Sequence, residues 1–212
     1  MSNIWFTADT HFGHFNIAKY CGRPFLDAET KAKLADLELQ LPNDRTSKTK
    51  NEIYGIKNRV TREMDATLIA NWNSRIAKDD QVYFLGDFCF ADTDQTKRYI
   101  DSLNGNIAFI EGNHDKSVQQ FRHLFKPFTK YMKITIDGIP VILFHYALRV
   151  WDRSHHGAYS LYGHSHGSLP DDPNSLSFDC GVDTNNFFPY SWDDVKRKMA
   201  SKTWKAVDHH GS

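Results

Sequence analysis

Six short apolar runs, each followed directly by polar residues, are the feature that most constrains the fold of this chain. Each run has three to five residues and is rich in β-branched and aromatic side chains, which is typical of buried strands. The dipeptide Asp137-Gly138 favours a tight hairpin between two strands, one of them an extension of the fourth run. The six runs are residues 4–8, 81–85, 107–110, 141–144, 160–162 and 176–178.

Helical patterns lie between the early strands, and the alternation predicts an α/β fold. Leucines recur at three- and four-residue spacing within residues 28–41, and apolar side chains recur at near-four spacing over residues 53–72. Ser191, followed by two acidic residues, is typical of the first turn of a helix. Residues 42–50, which are rich in Asn, Asp, Ser and Thr, are predicted to form a flexible loop.

The composition excludes several classes of protein. Basic and acidic side chains number 26 each, so net charge alone cannot hold the chain on nucleic acid. Three cysteines without a C-x-x-C pair argue against a disulfide framework and against a cysteine-based zinc site. Because no apolar run approaches the roughly 18 residues of a membrane helix and no signal peptide is recognisable, we expect a cytoplasmic protein without a membrane partner.

The polar clusters at the strand ends repeat carboxylate, amide and imidazole groups. Ligands of α/β proteins bind beyond the carboxyl ends of strands, so these groups are predicted to meet at one sheet edge. In extended backbone, side chains two positions apart point to the same side, so they can bind one cation or two neighbouring cations. Mixed oxygen and nitrogen ligands suit Mn, Fe or Zn better than Ca or Mg. The clusters are Asp9-Thr10-His11, Gly86-Asp87, Gly112-Asn113-His114-Asp115, His145 and Gly163-His164-Ser165-His166.

A pair of metal ions is the usual device for in-line attack at phosphorus, and such a pair needs a bridging carboxylate. Asp87 is the acid of these clusters that has no neighbouring histidine, which makes it the candidate bridge. The glycines at 86, 112 and 163 would let the backbone turn sharply beside the ions.

In their order, these motifs resemble the calcineurin-like metallophosphoesterase superfamily, whose pattern is D-x-H, G-D, G-N-H-[DE], a lone H and G-H-x-H. Residues 5–17, 71–73 and 82–88 look like its small, single-domain bacterial and phage branch. The resemblance implies a four-layer α/β/β/α sandwich of two mixed β-sheets flanked by helices. It also implies a single domain over residues 1–212, in which the long spacing between the first two motifs points to a helical insertion around 26–62.

The resemblance assigns a role to each cluster. It implies two divalent metal ions, manganese being favoured over iron, zinc, nickel or cobalt, and direct attack on phosphorus by a bridging hydroxide without a phospho-enzyme. It makes His114 the general acid that protonates the leaving group, with Asp115 orienting it. One ion would be held by Asp9, His11, Asp87 and His166, and the other by Asp87, Asn113, His145 and His164.

The sequence leaves several substrate classes open. Asn16 and Arg149 follow the metal motifs and are candidates for substrate contact, although an ordinary loop amide and a surface cation explain them equally well. Two basic runs, within residues 45–62 and 116–133, favour phosphodiesters such as nucleic acid or cyclic nucleotides, unless they are simply solvated helix faces. The alternatives are monoesters of nucleotides or phosphoproteins and, less favoured, a non-catalytic protein-binding scaffold, which would be expected to lose ligands.

Overall fold

The computed structural model of the protein describes residues 2–42 and 47–206. Two mixed β-sheets flanked by helices make up the described chain, which confirms the predicted fold class. The strands of the first sheet are β1 (Ile4–Thr7), β2 (Gln81–Phe84), β3 (Asn106–Ile110), β4 (Phe128–Thr129) and β9 (Tyr190–Ser191). Their order is β4-β3-β2-β1-β9, with β9 antiparallel to β1 and the other neighbours parallel.

The strands of the second sheet are β5 (Tyr131–Ile136), β6 (Ile139–Phe144), β7 (Tyr159–Tyr162) and β8 (Ser177–Asp179). Their order is β5-β6-β7-β8, with β5 antiparallel to β6 and the remaining pairs parallel. The predicted hairpin at Asp137-Gly138 joins β5 to β6, and all six predicted runs overlap strands. The helices are α1 (Phe15–Tyr20), α2 (Ala28–Gln40), α3 (Ser47–Arg75), α4 (Thr93–Ser102) and α5 (Trp192–Ala200).

The first sheet has an apolar core on each of its faces. Because side chains alternate along a strand, Trp5 and Phe84 point to one face, whereas Phe6 and Leu85 point to the other. The first face packs against α1, α3 and α4, and the second packs against the second sheet and α5. This stacking brings the carboxyl ends of strands from both sheets close together.

The predicted helical insertion forms a pair of helices, α2 and α3. Leu34, Leu37 and Ile53 make a small cluster between them, and Asp27 caps α2 by accepting from the N–H of Thr30 at 2.7 Å. Beyond this cluster α3 continues without a break to the first sheet, where Val60 is fully buried. The boundaries of an insertion within one domain therefore stay a prediction.

The helices differ from the sequence-based expectation in two respects. The predicted loop over residues 42–50 is wrong for residues 47–50, because α3 begins at Ser47, and residues 43–46 lie outside the described part. Helices α1 and α4 were not predicted from the sequence. Nowhere in residues 2–42 or 47–206 does a helix combine the length and apolar character needed to cross a membrane.

Candidate metal centre

The loops that follow β1 and β2 run side by side and carry three of the predicted ligands. The N–H of Asp9 donates to the carbonyl of Gly86 at 2.9 Å, and the N–H of His11 donates to the carbonyl of Asp87 at 3.1 Å. Asp9, His11 and Asp87 have left-handed backbone angles, with φ of 60°, 49° and 60°. Such a conformation costs a non-glycine residue about 1–3 kcal/mol, so the surrounding contacts must hold these loops in place.

The second sheet supplies the other three histidines. His145 directly follows β6, whereas His164 and His166 follow β7. The N–H of His164 donates to Oδ2 of Asp9 at 2.8 Å and so joins the ends of the two sheets. The strand-end pattern predicted one sheet edge, but the structure forms the site from the edges of two sheets.

Two glycines permit the close approach of these loops. A Cβ atom at Gly163 would lie 2.7 Å from Oδ2 of Asp9, and one at Gly86 would lie 2.6 Å from Nδ1 of His145. Gly86 also has a φ of 92°, which L side chains rarely adopt. Any side chain at either position would displace a predicted ligand.

The ligand atoms gather in two groups, each containing one carboxylate and two imidazoles whose ligand atoms lie within 4.8 Å of one another. This spacing and this mixture of oxygen and nitrogen suit one transition-metal ion in each group. The first ligand group is Asp9, His11 and His166, and the second ligand group is Asp87, His145 and His164.

Asp87 lies between the two ligand groups. Its Oδ2 is 3.6 Å from Nε2 of His11 and 3.5 Å from Nε2 of His145. Burial opposes the charge on this carboxylate, but the neighbouring His145 and the N–H of His114 outweigh burial and lower the pKa of Asp87 to about 2. Asp87 is therefore charged near neutral pH and faces both groups, as a bridging ligand must.

The first ligand group contains buried polar atoms that lack a partner. Oδ1 of Asp9 and both ring nitrogens of His11 are buried, and none has a hydrogen-bond partner among the described residues. Burial raises the pKa of Asp9 to about 8 and lowers the pKa of His11 to about 2. An unpaired buried polar group costs about 1–3 kcal/mol, and a divalent cation is the partner that a carboxylate and a neutral imidazole can share. The residues present therefore fit a metal ion.

Asn113 and His114 lie on the exposed side of the centre. Oδ1 of Asn113 is 3.1 Å from Nε2 of His145 and accepts from the hydroxyl of Tyr146 at 3.2 Å, which places the amide beside the second ligand group. The ring of His114 lies 5.9 Å from the ring of His11, centroid to centroid. An exposed imidazole at this position has access to a substrate bound against the ligands.

Asp115 is buried and binds backbone groups. Its Oδ2 accepts from the N–H groups of Gly112 at 2.7 Å and Asp87 at 2.9 Å, and its Oδ1 accepts from the N–H of Phe88 at 2.8 Å. Within the described chain its carboxylate makes no hydrogen bond to the His114 ring. Asp115 was expected to orient the His114 ring. In the structure its carboxylate instead links the loop after β3 to the backbone of Asp87.

The two predicted substrate contacts lie outside the ligand groups. Asn16 is exposed in the first turn of α1. Arg149 is exposed and lines a small cleft with Trp151 and Trp204, neither of which belongs to the centre. The structure therefore assigns neither Asn16 nor Arg149 to the metal ligands.

A buried arginine supports the first ligand group and was not predicted from the sequence. Nε and Nη2 of Arg23 donate to the two oxygens of Asp183, both at 2.8 Å. The same guanidinium donates to the carbonyls of Asp9 at 2.8 Å and Thr10 at 3.1 Å. Oδ2 of Asp183 in turn lies 2.7 Å from Nδ1 of His166. Arg23 thus fixes the backbone of one ligand and, through Asp183, the ring of another.

A third set of possible ligands, Cys21, His166 and Asp183, also has its ligand atoms within 4.8 Å of one another. Two of its members already have partners, because Asp183 is bonded to Arg23 and His166 belongs to the first ligand group. We therefore treat Asp183 as support for His166 and give Cys21 no part in metal binding.

Replacing Arg23 by methionine is expected to lower the free energy of unfolding of the metal-free protein by about 3–5 kcal/mol, because Asp183 would stay buried without the two hydrogen bonds from the guanidinium. Denaturant unfolding in the presence of a chelator measures the loss. Arg59→Met is the matched control, since Arg59 is exposed on α3 and its pair with Glu63 should contribute less than about 1 kcal/mol. Equal, small losses in both variants would contradict the supporting role of Arg23.

The two predicted basic runs have different surroundings. In the first run, Lys57 pairs with Glu38 at 2.8 Å and Arg59 pairs with Glu63 on the same helix. Part of the positive charge of the first run is therefore neutralised. In the second run, Lys116 lines a cleft that His114 also lines. The second run therefore contributes a cation beside the candidate general acid.

Comparison with known proteins agrees with this architecture. The sequence profile described as calcineurin-like phosphoesterase matches residues 2–212. The chain is 30% identical over 200 residues to "Uncharacterized protein MJ1445" of Methanocaldococcus jannaschii, covering 91% of this chain and 89% of that protein. It is also 30% identical over 118 residues to the "Gene 66 protein" of Mycobacterium phage L5, covering 54% of this chain and 41% of that protein.

Among solved structures, the protein of unknown function AQ665 from Aquifex aeolicus aligns with a TM-score of 0.60 at 17% identity, covering 93% of this chain and 99% of that one. This likeness concerns the fold alone. The family is set by the profile match, which spans nearly the whole sequence. This match shows that the chain belongs to the calcineurin-like phosphoesterases, a family of phosphate-ester hydrolases that typically depend on divalent metal ions.

Proposed function

We propose that the protein hydrolyses phosphate esters with two divalent metal ions held side by side. The position of Asp87 carries this proposal, because its Oδ2 lies at similar distances from a histidine of each ligand group, 3.6 Å and 3.5 Å. One ion would bind the first ligand group, the other would bind the second ligand group with Asn113, and Asp87 would be shared. Manganese is the proposed metal, with iron, zinc, nickel and cobalt as alternatives, since all accept mixed nitrogen and oxygen ligands.

Each polar side chain of the centre then has a defined task. Bound divalent ions would lower the pKa of a water molecule and neutralise charge on the phosphoryl group. His114 would give a proton to the leaving oxygen, because it is exposed beside the ligands. Asp115 would position Asp87 through its backbone N–H, and Arg23 would keep His166 oriented. In this proposal water is the nucleophile, and hydrolysis is direct, without a phospho-enzyme.

Phosphodiesters are the favoured substrates in this proposal, with nucleic acid or a nucleotide as the partner. Lys116 beside His114 supports this choice, since a cation there would attract the negative charge of a nucleic-acid backbone or of a second phosphate. Monoesters of nucleotides or phosphoproteins are the alternative. A non-catalytic scaffold is disfavoured, because the full set of ligand residues and the candidate acid are all retained in this chain.

A substrate panel on manganese-reconstituted protein tests the proposal. It compares an aryl phosphodiester, an aryl monoester, 2′,3′- and 3′,5′-cyclic nucleotides, and single-stranded DNA and RNA. We expect hydrolysis to stop on chelation, to return with added manganese, and to have a higher kcat/KM for diesters. Faster hydrolysis of the monoester would argue against the diester preference, and a metal-loaded protein that hydrolyses no ester would refute the enzymatic proposal.

A further inference from the structure

A cleft of about 740 Å³ opens beside the candidate general acid. It is lined by Asn113 and His114 on the side of the metal centre, and by Phe90, Ala91 and Lys116 beyond them. The proton that His114 donates must reach the oxygen of the leaving group, so that group has to occupy the space that His114 borders. If His114 is the general acid, the leaving group would therefore occupy this cleft.

Phe90 is a large apolar side chain that stays 40% exposed at this cleft. Its ring stacks on His14, with centroids 4.1 Å apart and an interplanar angle of 18°. The ring of His114 lies 4.9 Å away on a tilted plane. Because these neighbours already hold Phe90, a ligand that covers the rest of the ring loses little conformational entropy in ordering it.

The remaining lining of the cleft combines the buried Cys89 with polar side chains. Asp92, Ser117 and Lys116 offer an acceptor, a hydroxyl and a cation next to the apolar wall made by Phe90 and Ala91. The volume lies within the range of about 300–1,000 Å³ that is typical of small-molecule sites. A serine or threonine leaving group has no planar surface for Phe90 and would leave much of this space unfilled. A nucleoside has both a planar base and a hydroxylated sugar.

We propose that this cleft binds the nucleoside that leaves the phosphorus atom, with its base against Phe90 and its sugar beside His114. The inference rests on the proposed function and deepens it, since it makes nucleotides or nucleic acids the substrate class and Phe90 a specificity-determining residue. Base stacking on an aromatic side chain is sequence-tolerant, because every base has a π face. The cleft thus selects for a base without selecting strongly among bases.

A pair of non-hydrolysable ligands tests this assignment by calorimetry on the manganese-loaded protein. A nucleoside 5′-methylenephosphonate carries the base and sugar, whereas methylphosphonate presents only the phosphorus group. The nucleoside ligand is expected to bind about tenfold more tightly. Phe90→Ala should remove most of that difference, because it weakens binding of the nucleoside ligand far more than binding of methylphosphonate. The metal content of the variant is measured in the same sample, since the Phe90 ring also stacks on His11.

Tyr54→Ala is the matched control, because Tyr54 is 68% exposed and lines a separate groove along α3 that Phe90 also borders. This variant should bind both phosphonates as the unaltered protein does. The assignment is overturned if the two phosphonates bind equally, if Phe90→Ala weakens both alike, or if Tyr54→Ala abolishes the difference. Failure of the unaltered, metal-loaded protein to bind either phosphonate would instead refute the two-metal phosphoesterase itself.

Discussion

Asp87→Asn is expected to lose at least about 10³-fold in turnover, since several kcal/mol of transition-state stabilisation by the metal pair would be lost. Asparagine keeps the size of the side chain but removes the charge that both ligand groups face. The amide also places a hydrogen-bond donor, its NH₂ group, beside either His11 or the N–H of His114. We therefore expect metal content to fall below two ions per chain together with activity.

Elemental analysis after gel filtration and hydrolysis of an aryl phosphodiester measure the two losses in the same Asp87→Asn sample. Asp27→Asn is the matched control, because Asp27 is an exposed N-cap of α2 and asparagine caps a helix equally well. It should keep full metal content and full activity. An Asp87→Asn protein that binds two ions and turns over normally would remove the basis for a bridging role.

His114→Ala is expected to keep both metal ions and to lose about 10²–10⁴-fold in kcat for substrates with an alkoxide leaving group. The imidazole is exposed and belongs to neither ligand group, so its removal should leave the metal sites intact. A nitrophenolate leaves readily without a proton, and its release should be slowed far less than that of an alkoxide.

The dependence of the His114→Ala defect on the leaving group is the informative measurement. A plot of log kcat against leaving-group pKa should be steeper for this variant than for the unaltered protein. His123→Ala, which removes another exposed histidine, should follow the unaltered line. The general-acid role is contradicted if His114→Ala slows aryl and alkyl substrates equally, because the side chain would then only position the phosphate.

Local patterns were sufficient to predict seven of the nine strands in the described chain and most of the candidate ligands, whereas the two-residue strands β4 and β9 were not predicted. Trp5 and Phe6 are adjacent in a strand and point to opposite faces of the first sheet, and both faces are apolar because each is covered by its own core. A continuous apolar run therefore marks such a strand in the sequence. The clusters containing Asp9 and Asp87 follow their strands directly, so placing the strands also placed these carboxylates. Short glycine-containing motifs also mark the ends of strands, because the chain must turn where each strand ends.

The supporting contacts were not predictable in this way, because they join distant parts of the chain. Arg23 and Asp183 are 160 positions apart, and a lone arginine in a loop has no periodic pattern. Asp183 had a weak signal, since the sixth apolar run is also followed by polar residues, but none of the family motifs includes it. The backbone contacts of Asp115 likewise depend on the packing of two loops, whereas the motif shows only that Asp115 is the neighbour of His114.

Electron paramagnetic resonance of the protein titrated with manganese tests the central claim, a pair of ions sharing Asp87, most directly. The account predicts binding of two ions per chain and an exchange-coupled spectrum of two neighbouring Mn²⁺ ions, and it predicts loss of that coupling in Asp87→Asn. Full phosphoesterase activity with one ion per chain, or two bound ions whose spectra show no coupling, would contradict it.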